Sequence, residues 1–517
     1  MPPPSAPAPE RYARYVLGVL VVVYVFNFLD RQILAILAER IRADLGVTDA
    51  ELGFLYGTAF AVFFAVFGIP FGRVADVWDR RKLIAIGLTV WSLMTVLSGF
   101  ARSFPELALA RIGVGVGEAS AAPAAYSLLS DYFAPARRAT VLALYSSGIY
   151  LGAGLGLVIG GLVVDRWDAA FPTAAPFGLR GWQVAFFVVG LPGLLLALWV
   201  RTLREPARGG VEGLTTVSEV PPLRAFLLEL RAVLPPLTLV HLALAGAGAR
   251  GIARNLFAAA VIAAVASILI RTLGSSAQWI ALGIGAYSAV SWLQALALRD
   301  RPTLALITRT PSLRYAGVGF ALLAFVGYGI GFWLPTLFMR VFGTQAGRTG
   351  LILGVVSAVG GWLGTTLGGV WADARRRQTP AGRLQVGAAC PLLTLPLASW
   401  MLFTDSSQIA FILAFPVTLT SSLWIGAGAS TVQDLVLPRM RGSASAAYLL
   451  LVTFIGLALG PYTVGRLSVA LGDLRIAMLC ALIAGLVGAV LLLLAARHVA
   501  HDEATRVARA HAAGEPA

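Results

Sequence analysis

The sequence predicts an all-α polytopic membrane protein: two bundles of six transmembrane helices plus two extra central helices, fourteen spans in all. Three observations carry this reading. The chain is 58% hydrophobic and 13% charged, with a mean hydropathy of +0.81. Apolar runs of spanning length recur from Tyr15 to about Arg497, and basic residues collect in alternate loops between them. No water-soluble domain has such a composition, and each run meets the roughly 20 apolar residues needed to cross about 30 Å of hydrocarbon.

The elements follow in order. Residues 1–14 form a Pro-rich tail. The first apolar run has no small-residue cleavage site after it, so it is a retained helix and no signal peptide. Six spans at about 15–38, 52–75, 83–101, 106–131, 139–164 and 182–203 make a first bundle over 15–204. Six more at about 315–342, 350–372, 386–403, 409–432, 443–469 and 476–496 make a second over 314–497, and 498–517 is a second tail. Between them, 205–313 opens on a polar linker and continues as an Arg-dotted amphipathic stretch interrupted by Pro235 and Pro236, which suits a membrane interface. Two further runs, 255–273 and 277–298, are long enough to span.

Net charge is +15, and Lys82 is the only lysine. The arginines fall near 73–82, 137–138, 201–208, 299–314, 375–383, 439–441 and beyond 497. That is the positive-inside pattern of an inner (plasma) membrane protein with both termini cytoplasmic, and it argues against a nucleic-acid partner. Cys390 and Cys480 lie in apolar segments without metal-ligand spacing. No nucleotide-binding loop and no nucleophile-base constellation is present in the sequence. The expectation is a transporter, with no enzyme activity, metal or cofactor, whose partners are a small-molecule substrate, protons and the bilayer.

An internal repeat supports two like halves. Gly72, Asp76 and Arg80 reappear as Gly369, Asp373 and Arg377 in G-x-x-x-D-x-x-x-R spacing after the second helix of each half. Asp131, Pro135, Arg138 and Tyr145 reappear as Asp434, Pro438, Arg441 and Tyr448 between the fourth and fifth helices. Parallel six-helix repeats imply two bundles that rock about a substrate path between them. Gly148, Gly152, Gly156 and Gly160 recur every four residues, and Gly456 and Gly460 with Pro461 do the same in the second half; such stripes let a neighbouring backbone approach closely.

Charges within a span cost about 2.5 to 3.5 kcal/mol each on insertion scales, so Asp30, Arg31, Arg111 and Glu118 need partners or a task. At 1.5 Å per residue, Asp30 and Arg111 fall at one depth, which makes a pair geometrically possible, and Glu118 lies about 10 Å deeper. Asp30 and Glu118 are expected to face a watery cleft and exchange protons as the bundles rock. The alternative is a satisfied ion-pair network that fixes the packing of the first and fourth helices. Tyr24 and Asn27 share the Arg31 face and, with Arg111 and Glu118, are candidate cavity residues. Tyr145, Tyr150, Tyr328 and Trp333 are candidates for the path of an amphiphile, although aromatics at helical spacing are more often lipid-facing or core. Asp76 with Arg80 and Arg81, and Asp373 with Arg377, sit with Gly72, Gly369, Asp131, Arg138, Asp434 and Arg441 at cytoplasmic helix ends, a candidate inside gate.

The run GRVADVWDRRK at 72–82, with its second copy, resembles the loop signature of the major facilitator superfamily. NFLDRQ at 27–32, RIGVGVGEA at 111–119 and the Gly-rich fifth helix resemble its spinster branch, over about 15–497. The resemblance implies the major facilitator fold, a monomer and rocker-switch transport. It makes Asp30 with Arg31 the proton-sensing pair and gives Glu118 and Arg111 a part in coupling or substrate binding. It pairs Asp76 with Arg439 or Arg441, and Asp373 with Arg137 or Arg138, across the closed cytoplasmic side. Animal spinster proteins export lysolipids, so proton-coupled export of a lysolipid-like or drug-like amphiphile is expected here; the extra helix pair is a departure from the usual twelve. The alternatives are proton symport of a small organic anion, such as a sugar acid or aromatic acid, and a non-transporting membrane sensor or scaffold.

Overall fold

The computed structural model describes residues 10–208 and 220–515, and these contain helices and no strand. Most of the expected N-terminal tail, 1–9, and the linker stretch 209–219 lie outside the described residues.

The first six spans are α1 (Glu10–Leu45), α2 (Asp49–Val77), α3 (Arg80–Ser98), α4 in two pieces (Phe104–Glu118 and Ala121–Tyr132), α5 (Thr140–Ala170) and α6 (Gly181–Arg201). The middle contributes α7 (Pro222–Val233), α8 (Leu237–Leu244), α9 (Gly248–Leu273), α10 (Ser276–Arg299) and α11 (Arg301–Arg309). The last six spans are α12 (Pro311–Phe342), α13 (Ala346–Gln378), α14 (Gly382–Phe403), α15 (Ser407–Asp434), α16 (Pro438–Leu471) and α17 (Leu474–Ala504), followed by the short α18 (Arg506–Ala512). Thirteen of these helices are long and apolar enough to cross a membrane. By the same measure the bent pair α7–α8 would be a fourteenth; the expected fourth span is in two shorter pieces of α4, separated only by Ala119 and Ser120. The amphipathic stretch is α7 and α8, bent by 101° at their break.

Local chemistry starts the helices where the sequence turns polar. Thr48 and Glu51 form a reciprocal capping box at α2, the Thr48 hydroxyl accepting from the Glu51 amide at 3.2 Å. Asp79 caps α3 by accepting from the Lys82 amide at 3.1 Å, and Asp473 caps α17 by accepting from the Arg475 amide at 2.7 Å.

Packing sorts the helices into two units, and the division does not follow the sequence halves. One unit comprises the residues up to Leu45, Phe63–Leu234 and Gln345–Gly354; the other comprises Gly46–Val62, Pro235–Thr344 and the residues from Val355. Both α2 and α13 are therefore divided between units, and α13 changes unit where a π-helical stretch, Val356–Gly360, begins.

Glycines explain how each unit closes. In the first, a Cβ at Gly152 would lie 2.3 Å from the Val25 carbonyl oxygen and one at Gly156 2.8 Å from that of Leu29, so the stripe seats α5 on α1. In the second, a Cβ at Gly460 would lie 2.5 Å from the Phe325 carbonyl oxygen, which seats α16 on α12 in the same way. Backbones this close gain dispersion contacts that larger residues would forbid.

The glycine geometry makes a prediction. Gly152→Val forces a side chain into the α1 backbone and is expected to cost about 1–3 kcal/mol of stability. Gly18→Ala on α1, where a Cβ meets nothing within 4 Å, is expected to leave stability unchanged or raised. Thermal unfolding of the two variants in detergent, measured side by side, checks this.

Candidate functional site

The charged residues expected inside the spans gather in the first unit. Glu118 ends the first piece of α4 and is placed by the residue before it, since a Cβ at Gly117 would lie 2.7 Å from the Trp91 amide nitrogen of α3. Arg31 on α1 donates from Nε to Glu118 Oε2 at 2.6 Å. Its guanidinium also stands 4.8 Å and 4.7 Å from the ring centres of Phe28 and Phe64. Asp30, one residue earlier, turns to α3 and accepts from the Thr95 hydroxyl at 2.7 Å. Arg111 is fully buried within electrostatic reach of both carboxyl groups.

Both acids are more enclosed than a place on a watery cleft requires. Asp30 is 2% exposed and Glu118 1%. Among the described residues Asp30 Oδ1 takes no hydrogen bond, and Glu118 Oε1, with Asn27 alongside it, takes no well-aligned one. The Arg31 side chain, 17% exposed, is the part of the cluster open to its surroundings. Tyr145 is fully buried, stacked on Tyr24 at 4.3 Å and edge-on to Tyr126 at 5.5 Å. Tyr150 on α5 and Tyr328 on α12 are half-buried. Trp333 is enclosed in the second unit and donates its indole N–H to the Pro461 carbonyl at 2.8 Å.

The repeated motif ends form a charge network in each unit. In the first, fully buried Arg80 binds Asp131, Glu205 at 2.7 Å, the Ser127 carbonyl at 3.1 Å and the Pro206 carbonyl at 3.2 Å. Arg81 pairs with Asp79 at 3.1 Å, and Asp76 stands 3.8 Å from Arg73. Arg138 donates to the Ser130 carbonyl at 2.7 Å, and Arg208 caps the end of α2 by donating to the Ala75 carbonyl at 2.7 Å. Gly72 and Gly369 have open space where a side chain would be.

In the second unit the arginine that holds Asp434 is Arg383, which also binds Asp373 at 2.9 Å. Arg377, at the matching motif position, is exposed and takes no part in the network among the described residues. Arg80 and Asp131 are 51 residues apart, and so are Arg383 and Asp434. From the motif aspartate to this arginine the second copy is longer, mainly because α13 runs on to Gln378 where α2 stops at Val77, so matching motif spacing alone selects a different arginine. Arg376 binds Glu503 at 2.8 Å, and Arg506 donates to the Asp434 carbonyl at 2.6 Å. Arg439 pairs with Glu515 and, at 2.6 Å, with Asp300, while Arg441 is exposed at the start of α16. Burial raises the Asp300 pKa, but hydrogen bonds from Arg439 and Thr303 outweigh it and hold the carboxyl below its ordinary range.

A second cluster, at the opposite helix ends, has no counterpart in the sequence reading. Asp49 at the start of α2 takes a bidentate pair from Arg340 of α12 at 2.6 and 2.8 Å and the Ser468 hydroxyl of α16 at 2.7 Å. Below it α2 presses on α16, since a Cβ at Gly53 would lie 2.4 Å from the Pro461 carbonyl oxygen and one at Gly57 2.5 Å from that of Leu457. In the first unit, Asp165 of α5 accepts from the Gly347 amide of α13 at 2.6 Å. A Cβ at Gly350 would lie 2.2 Å from the Leu157 carbonyl oxygen. Asp49 and Asp165 sit near span ends, where charge is unremarkable in a sequence.

Comparison with known proteins matches this arrangement. The Major Facilitator Superfamily model covers residues 20–461. An MFS-type efflux pump of Mycolicibacterium smegmatis is 27% identical over 90% of this chain and 86% of its own. Human protein spinster homolog 1 is 26% identical over 88% of this chain and 72% of its own. The crystal structure of a bacterial homolog of the human lysosomal transporter spinster, inward-facing and unoccupied, superposes with a TM-score of 0.72 at 24% identity, covering 96% of this chain and 99% of that one. With the motif loops, the paired six-helix sets and a family match across most of its length, this chain belongs to the Major Facilitator Superfamily, and spinster proteins are among those it resembles.

Proposed function

We propose that this protein is a proton-coupled secondary transporter of the inner membrane, cytoplasmic at both termini, that exports a lysolipid-like or drug-like amphiphile by rocker-switch alternating access. The observation that carries the coupling is the hydrogen bonding around Asp30. The Thr95 hydroxyl has one proton and two oxygens within reach, Asp30 Oδ2 at 2.7 Å and the Trp91 carbonyl at 3.0 Å. Ionised Asp30 takes that proton. Protonated Asp30 donates to Thr95, which then turns its own proton to Trp91, so the Asp30–Thr95 hydrogen bond is kept in both states without moving a helix.

Glu118 is the complementary half of the device. While it is ionised it holds Arg31; once protonated it no longer balances that guanidinium, and the cost of a buried unpaired charge favours a rearrangement that gives Arg31 another anion. Arg31 is the partly exposed member of the cluster, which suits it to the phosphate or carboxylate of a substrate. Proton arrival and substrate release are thereby linked through one ion pair. The efflux pump relative supports the direction, and the substrate class is what the spinster resemblance implies.

Alternating access needs an attachment at each end that is made in one state and broken in the other. The Arg80 and Arg383 networks serve the cytoplasmic end, where Asp76 and Asp373 are free to exchange Arg73 and Arg383 for arginines of the other bundle. Asp49 with Arg340 and Ser468, and Asp165 with the Gly347 amide, serve the outer end. The divided helices α2 and α13 carry an attachment at both ends.

Three outcomes are expected. In proteoliposomes loaded with a fluorescent lysophospholipid, Asp30→Asn is expected to reduce pH-gradient-driven transport by about tenfold or more while leaving exchange without a gradient, as loss of a coupling step predicts. Full gradient-driven transport by the variant excludes Asp30 from coupling; a protein that moves sugar acids in the same assay, and no lysolipid, overturns the substrate class. Arg383→Ala is expected to impair transport as Arg80→Ala does, while Arg377→Ala remains near wild type, measured as initial rates at matched reconstitution. A double-mutant cycle of Asp49→Ala and Arg340→Ala is expected to show coupling of about 1–3 kcal/mol in thermal unfolding, because the pair is bidentate and largely buried; additive losses mean the pair does not hold the outer end.

A further inference from the structure

Helix α7, between the two halves, presents two unlike faces. Ala225, Ala232 and Val233 are buried, and Phe226 packs against Phe71 and Phe67 of α2 with ring centres 5.1 and 6.5 Å away. These rings stand on the turns of α2 immediately before Gly72, and Arg208 clasps the same helix end through the Ala75 and Trp78 carbonyls. One side of α7 is thus fixed to the cytoplasmic half of the helix that carries the gate motif.

The other side is uncovered. Leu223 is 67% exposed and Leu227 51%, with Leu228 also exposed. Arg224 and Arg231, two turns apart, lie between these leucines on the helix surface, and the one acid of the helix, Glu229, falls on the docked side. Arg224 is exposed, whereas Arg231 is half-buried with an enclosed Nε that takes no hydrogen bond among the described residues. Leucines and arginines sharing one largely open face, on a short helix bent by 101° from the helix that follows, do not suit water or a membrane span. They suit the boundary between headgroups and acyl chains, leucines inward and guanidiniums at phosphate level.

We propose that this face of α7 is a seat for the anionic headgroups of the cytoplasmic leaflet. The chemistry selects the partner, because guanidiniums bind phosphate in a bidentate manner and an uncharged-surface lipid leaves two cations without counter-charge beside apolar residues. Through Phe226 the seat bears on Phe67 and Phe71, so leaflet charge acts on the motif half of α2. The inference stands on α7 alone and does not depend on which substrate is carried.

The test is hydrogen–deuterium exchange on the full-length protein in nanodiscs of phosphatidylcholine, and of phosphatidylcholine mixed with phosphatidylglycerol. Exchange over 222–233 is expected to slow when phosphatidylglycerol is present. The slowing is expected to be lost in the double variant R224Q/R231Q, and in about 1 M salt, where screening shortens to about 3 Å. Arg224 is exposed and Arg231 half-buried, and unchanged protection across α1 and α17 verifies that the variant is folded. Equal exchange in the two lipid mixtures, or slowing that persists in the double variant, overturns the proposal, the first pointing to a neutral interfacial helix and the second to a lipid site elsewhere. Slowing by free glycerol phosphate in detergent to the same extent also overturns it, since the site would then read a soluble phosphate and not a surface.

Discussion

A charge enclosed among apolar helices is tolerated only with a partner, and the Arg31 to Glu118 ion pair is the point at which this protein meets that constraint. Its two ends lie on α1 and α4, and the glycines around it have to let those helices close far enough for a 2.6 Å contact. Gly117 brings α4 onto α3, and Gly152 and Gly156 bring α5 onto α1. The same approach encloses Asp30 and Glu118, so the packing that steadies the cluster also leaves one oxygen of each acid poorly satisfied. At Asp30, which holds only Thr95, an apolar substitution would relieve that deficit, which makes an acid there hard to explain by stability alone.

Much of the fold was legible because a bilayer imposes few solutions. With no water to satisfy the backbone, each long apolar run has to be a helix, and counting runs approximates counting spans. The buried charges were legible for the same reason, since Asp30, Arg31, Arg111 and Glu118 stand out against apolar neighbours. Thr95 was not, because threonine is common in spans and bonds its own helix, as it does here to Trp91. Asp49 and Arg340 were illegible for a different reason: charges near span ends are what any membrane protein shows, and only the fold joins them across 291 residues of sequence.

The repeat was half legible. Motif spacing led to Arg377, whereas pairing geometry selects Arg383, because an aspartate is held by the arginine that reaches it and not by the one at the matching motif position. The 51-residue separation shared by the two pairs was available in the sequence, although the extra length at the end of α13 hid it. Division of α2 and α13 between units was not available at all, since it follows from which glycines face which carbonyls.

Each half also closes on itself at its motif end. After α6, Glu205 and Arg208 reach back to Arg80 and to the end of α2; at the end of α17 and just beyond it, Glu503 and Arg506 reach back to Arg376 and Asp434. The two E-x-x-R straps therefore fasten the last span of each half to its own motif loop. A helix fastened at its motif end and engaged at its other end by Asp49 or Asp165 can adjust only between the two. In α13 that region holds the π-helical Val356–Gly360, where backbone bonding is already irregular and a change of pitch costs least. In α2 the corresponding stretch lies between Thr58, whose hydroxyl binds the Ala458 carbonyl at 2.8 Å, and Pro70, which removes a backbone donor from the helix. Both divided helices thus carry an irregular or proline-containing stretch between two anchored ends.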